Sequence, residues 1–190
     1  MTHPDRHPGL TLPDRGQITD VPGVTVGHYT DLEYATGCTA VLVDEPAVGG
    51  VDIRGTSTGT RETQLLDPLA RIEHIHGIML SGGSTFGLEA ATGAVRYLEE
   101  QGRGLKIGRM TIPLVPSAII FDLDLASHLV RPNADNGYAA AEVASKGTAT
   151  GTVGAGAGAT VGKLHGKQLS IKSGLGTASV RLGDDIVVGA

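Results

Sequence analysis

Three stretches of the chain hold residue types that could do chemistry. The first runs from Thr148 to Lys163, where five glycines (Gly151, Gly154, Gly156, Gly158 and Gly162) alternate with Ala, Thr and Val. Its one cation, Lys163, closes the run. Such a backbone can press against a phosphate or a neighbouring strand, and a lysine beside a reacting carbonyl can lower a pKa or stabilise an oxyanion. The second is Ser81-Gly82-Gly83-Ser84, between an apolar run and a helical pattern. Strand, glycine turn and helix in that order point backbone N–H groups at an anion or an oxyanion. The third is the polar loop from Arg54 to Glu62.

None of these closes a familiar motif. Gly82-Gly83-Ser84-Thr85-Phe86 departs from the G-x-S-x-G elbow at its last position. Gly158 to Leu164 is one residue short of a Walker A loop and lacks the hydroxyl after its lysine. Gly154 to Ala159 fits the loose dinucleotide fingerprint, yet a strand-like segment follows it and no acid stands about 20 residues on. His74 and His76 alternate without a third ligand nearby, which favours surface or core histidines over zinc. His3 and His7 lie in the N-terminal tail and read as solvated.

The elements that must position these residues follow from periodicity. Alternating Val24, Val26 and His28 after the Pro22-Gly23 turn predict a strand, and Cys38 to Asp44 predicts a second, buried on both faces. Glu45 to Thr63 reads as one long loop. A short helix is predicted over Leu65–His74 with Asp67-Pro68 as its start, then a strand over Ile75–Leu80. An amphipathic helix is predicted from Thr85 to Gln101, ended by Gly102. Strands broken by Pro113 and Pro116 precede a helix from about Asn136 to Lys146, capped by Asn133 or Asp135, with Ala139 to Ala141 as a close-approach face. The glycine run reads as an ordered strand and turn, since it lacks the Ser, Pro and Glu of a linker. Strand-like segments over Gln168–Ser173, Thr177–Leu182 and Ile186–Ala190 end the chain. The sum predicts α/β or α+β layers.

At 190 residues, with 40% apolar and 3% aromatic residues, the core must be built from Val, Ile, Leu and Ala. Residues 1–16 read as a flexible tail and 17–190 as a single α/β domain, incomplete at its C-terminus because the chain stops within an apolar strand. The net charge of −5 and absence of a basic stripe argue against nucleic acid. No run approaches transmembrane length and no signal peptide is present, so no membrane association and a cytoplasmic location are expected. One cysteine, Cys38, fits a reducing compartment and reads as a small buried hydrophobe.

Taken together, several stretches resemble the DmpA-type aminopeptidase family, which includes L-aminopeptidase/D-esterases, β-peptidyl aminopeptidases and nylon-oligomer hydrolases. They are Ile18 to His28, Gly59 to Thr63, Leu80 to Glu89, Val115 to Asp122 and Val153 to Lys163, in the family's order. The resemblance implies a four-layer α/β/β/α sandwich of the DmpA/ornithine-acetyltransferase type, completed by a second chain or segment. It implies a precursor that cleaves itself into α and β portions, the Ser or Thr opening β being the nucleophile and its own amine the base. This chain resembles most of the α portion. The nucleophile and the oxyanion Asn are expected beyond Ala190.

Carried across residue by residue, Lys163 matches the lysine that the nylon-hydrolase branch places near its nucleophile. Phe121 stands where that branch has a Tyr, which removes a hydroxyl donor. Gly83 and Ser84 are candidates to line the substrate pocket through N–H groups, with Asp122 and Arg61 as further candidates for substrate contact. The implied partners are the β portion, further αβ units in a homo-oligomer, and a small peptide or oligoamide. No metal or organic cofactor is called for. Two other readings stay open: a dinucleotide- or phosphate-binding protein using residues 151–163, and a non-catalytic assembly subunit of the same fold.

Overall fold

The structure is a computed structural model and describes residues 16–183 and 185–190. The expected tail, with His3 and His7, falls outside these residues but for Gly16. In chain order the elements are β1 (Val24–Asp31), β2 (Thr36–Val48), β3 (Thr60–Arg61), β4 (His74–Ser81), α1 (Ala90–Glu100), β5 (Leu105–Ile107), β6 (Met110–Ile112) and β7 (Ser117–Ile119). There follow α2 (Ala134–Glu142), β8 (Thr160–Val161), β9 (Ile171–Lys172), β10 (Ser179–Leu182) and β11 (Ile186–Gly189).

The main sheet has the order β1-β2-β4-β7-β3 and is antiparallel except between β4 and β7. A parallel pair needs a crossover. Here the 3-10 turn Ser84–Glu89, α1 and the β5–β6 hairpin supply it. Cys38, Ala40, Leu42 and Met79 face the helices and form the core with Ala90, Ala91, Ala94, Leu98, Ala140 and Ala141.

Small residues set the spacing of this helical layer. A Cβ on Gly93 of α1 would lie 1.8 Å from the Ala134 carbonyl, and one on Gly137 of α2 would lie 1.9 Å from the Ala90 carbonyl. The two helices therefore touch backbone to backbone. α2 meets β1 in the same way, since a Cβ on Gly27 would fall 2.0 Å from the Ala140 carbonyl. The close approach expected of the alanine face of α2 is present. α1 ends where Gly102 takes φ +69°, with Arg103 N–H donating to Leu98 O (2.8 Å) and Gly102 N–H to Glu99 O (2.9 Å).

Several boundaries differ from expectation. No helix forms over Leu65–His74. A short 3-10 turn covers Thr63–Leu66 and stops because Asp67, which precedes Pro68, is held extended (φ −69°, ψ 132°). The loop expected from Glu45 is shorter at both ends. β2 continues to Val48 past an irregularity between Leu42 and Ala47, and Thr60–Arg61 form the edge strand β3. The crossover helix opens with a 3-10 segment rather than an α turn, as both Gly83 and Ser84 take positive φ (+79° and +54°).

Candidate active site

The glycine-rich segment packs on the sheet face opposite the helices. Residues 154–156 form one 3-10 turn, and residues 154–158 are buried. Gly154 N–H donates to Thr30 Oγ1 (2.8 Å) and Ala155 N–H to Thr39 Oγ1 (3.0 Å). The Thr39 hydroxyl lies 2.9 Å from His28 Nδ1, and His28 Nε2 lies 3.0 Å from Thr148 Oγ1. Burial holds the His28 pKa below its usual value. The segment is ordered, as its composition suggested, but it is mostly turn, with a strand only at Thr160–Val161.

This packing argues against the phosphate-binding alternative at the centre of the run. Gly156, Ala157 and Ala159 donate to Val153, Gly154 and Gly156 carbonyls respectively. Together with Gly154 and Ala155 they already have protein acceptors, so the N–H groups at the centre of the run are turned inward.

At the carboxyl ends of β4 and β7 the chain builds a compact knot around Asp122, which is 4% exposed. Its Oδ2 accepts from Thr36 Oγ1 (2.8 Å) and its Oδ1 from Gly83 N–H (2.7 Å). Only glycines fit around the carboxylate. A Cβ on Gly82 would stand 2.0 Å from Oδ2, and one on Gly158 would stand 2.4 Å from the Asp122 Cβ. Gly82 N–H donates to Gly37 O (2.8 Å) and Ser84 N–H to Ile120 O (3.0 Å). The N–H groups of Gly82, Gly83 and Ser84, expected to face a substrate, are thus all taken inside the protein. Both oxygens of Asp122 are also engaged.

The other predicted residues spread around this knot. Phe121 is half exposed, and Lys167 Nζ sits 5.5 Å from its ring centroid. Lys163 is exposed in the 3-10 turn Lys163–His165. Lys163 and Lys167 flank Asp124, whose carboxyl is held below its usual range, first by the Lys167 hydrogen bond and more weakly by the charge on Lys163. Arg61 lies on β3, where it donates to Thr92 Oγ1 (2.7 Å) and Leu88 O (3.4 Å), so it fastens the sheet edge to the crossover. Cys38 is fully buried and its thiol is pushed up to about 12 by burial. It has no nucleophilic character there.

Sequence reasoning passed over Lys167, Lys172 and Arg131. Lys172 donates to Ala157 O, and Arg131 stacks its guanidinium 3.9 Å from the Phe86 ring centroid. A second lysine four residues beyond Lys163 was the available signal for the pair that flanks Asp124. Nothing local points Arg131 at Phe86. Among the described residues no group of three or more His, Cys, Asp or Glu could hold a metal ion, and no helix is long and apolar enough to cross a membrane.

Comparison with known proteins gives the arrangement its context. The family model described as Peptidase family S58 matches residues 16–190. An uncharacterized aminopeptidase of Mycobacterium tuberculosis is 44% identical over 180 residues, covering 90% of this chain and 50% of that protein. A 6-aminohexanoate-oligomer endohydrolase of Paenarthrobacter ureafaciens is 36% identical over 166 residues, covering 87% and 44%. Among solved structures, the L-aminopeptidase D-Ala-esterase/amidase from Ochrobactrum anthropi, described as a variant of the Ntn hydrolase fold, matches with TM-score 0.68 and 22% identity, over 89% of this chain and 50% of that one. A Burkholderia sp. beta-aminopeptidase matches with TM-score 0.67 and 22% identity, over 89% and 48%. The fold is therefore of this Ntn type. The chain spans about half the length of the curated relatives it matches.

Proposed function

From the premise that this chain belongs to peptidase family S58, we propose that it is the α portion of a self-cleaving amide hydrolase acting on short peptides or linear oligoamides. The nucleophilic hydroxyl and the oxyanion donors come from the remainder of the precursor. One observation carries the reading. The main sheet is covered by helices on one face, while on the other Ile78, in the middle of its central strand β4, is still 38% exposed. Ile78 shares an open groove with the exposed Val51 and Ile53; a contiguous apolar patch at the centre of a sheet calls for a covering layer, and a companion segment supplies it.

In this proposal Lys163 provides positive charge beside the nucleophile and Phe121 an apolar wall. Asp122 acts as a positioning residue, fixing the turn at Gly83 from below, and Arg61 holds the rim. Gly83 and Ser84 shape the pocket floor with backbone and side-chain bulk. The protein works without a metal or organic cofactor, in the cytoplasm, as a homo-oligomer of αβ units; the buried free thiol of Cys38 supports a reducing compartment.

Intact mass and N-terminal sequencing of the purified product of the whole gene test this reading. Two fragments are expected, the shorter beginning with Ser or Thr, and changing that residue to Ala leaves one undivided, inactive chain. A single undivided species from the unaltered gene overturns it.

A further inference from the structure

At the opposite end of β4 from the Gly82–Ser84 turn lies a cavity of about 980 Å³. A bulge opens it. β2 pairs Leu42 with Gly77 and Ala47 with Ile75, so residues 43–46 of β2 stand opposite His76 alone. Pro46 suits such a break, because a proline cannot donate to a ladder. His76 is 5% exposed and lines the cavity.

The ring of His76 is fixed from the other side. The backbone N–H of His76 donates to Leu114 O (2.9 Å), and Leu114 N–H donates to the ring Nδ1 (3.2 Å). Nδ1 therefore carries no hydrogen, and the neutral ring carries it on Nε2. Burial, with the charges of Arg103 and His74 behind it, keeps the ring below its usual pKa and so neutral near pH 7. Nε2–H has no hydrogen-bond partner among the described residues. It is a donor facing an open cavity, where water satisfies it in the free protein and a ligand that displaces that water must bring an acceptor.

The walls narrow the chemistry. Pro46, Ile72, Leu105 and Ile107 supply apolar surface, and the exposed Arg71 lines the cavity with no ion pair among the described residues. A guanidinium and an N–H donor together suit a carboxylate. The other lining cation, Lys106, is engaged with Gly102 O and Thr111 Oγ1, and the lining carboxylates Glu45 and Glu73 disfavour a second negative charge. We propose that this cavity binds a small monocarboxylate with a short apolar chain, its carboxylate on His76 Nε2–H and Arg71 and its chain against Ile72 and Leu105. Along β4, His76 precedes Ser81, which leads into the Gly82–Ser84 turn, by about 16 Å of strand.

The test is a titration of the whole-gene product, labelled at histidine, with hexanoate, hexanol and hexylamine, followed through the His76 ring signals by NMR. Hexanoate is expected to produce a saturable change at His76, with far weaker responses to the other two probes. Arg71→Ala, an exposed position, is expected to weaken hexanoate roughly tenfold without changing the thermal midpoint. The proposal is overturned by no saturable change at His76, by equal responses to all three probes, or by hexanoate binding that Arg71→Ala leaves unaltered.

Discussion

Asp122 shows how far a single residue's role can be read from its neighbours in sequence. A carboxylate just past a strand is visible in the chain. Its partner Thr36 stands 86 positions away, and the glycines that enclose it come from two further segments. Asp122→Ala leaves the buried Gly83 N–H without an acceptor and is expected to cost about 2–4 kcal/mol in urea unfolding. Gly158→Ala forces a methyl against the same side chain and should cost about 1–3 kcal/mol. Cys38, by contrast, was legible from its apolar surroundings. With its thiol at about 12, on the order of one molecule in ten thousand is thiolate at pH 8. A thiol reagent should therefore label the folded protein only after denaturant is added. Two histidines, His28 partly buried and His76 buried, set an acid limit. His28 and His76 have folded pKa values below their unfolded ones, so protons bind the unfolded chain more readily. Stability is full above about pH 6.5 and falls as the pH drops through the unfolded value towards the lower folded ones. Urea midpoints measured from pH 7.5 to 5 should decline over that span, and replacing both rings with Gln should flatten the decline.

At the scale of elements, opposing effects meet in the helical layer. Alanine in place of Gly93 or Gly137 would gain about 1 kcal/mol of helix propensity. The added methyl would lie under 2 Å from a carbonyl of the facing helix, and backbone cannot yield as a side-chain tip can. Either substitution is expected to be net destabilising by about 2 kcal/mol or more, seen as a lower thermal midpoint. The sequence announced the helices themselves through their apolar stripes and the Asn133 cap. It gave no sign of which glycines face each other, since that depends on how two helices cross. Arg61 makes the same point at the sheet edge. Its type suggested a ligand contact, but its hydrogen bonds to Thr92 and Leu88 join β3 to the crossover. Arg61→Ala should speed amide exchange at residues 60–61 and 117–119 while leaving the β1–β2 ladder protected.

For the whole molecule, the order of motifs carried the fold better than any one of them did. Strand, glycine turn and helix sat where expected, and the glycine run proved to be packing material against β1 and β2 rather than a phosphate loop. Long-range pairing decided what periodicity could not. The bulge that admits Pro46 is invisible as a pattern, because residues 38–48 read equally well as a strand followed by a loop. That bulge separates β2 into two independently pinned lengths. Adding or removing a residue between Asp44 and Ala47 would be absorbed where the β2–β4 ladder is already interrupted, and the pairing of Cys38 to Leu42 with β4, and of Val43 with Val24 on β1, would keep its alignment. The protein can therefore be re-tailored at one end through insertions and deletions while the other end inherits its geometry unchanged.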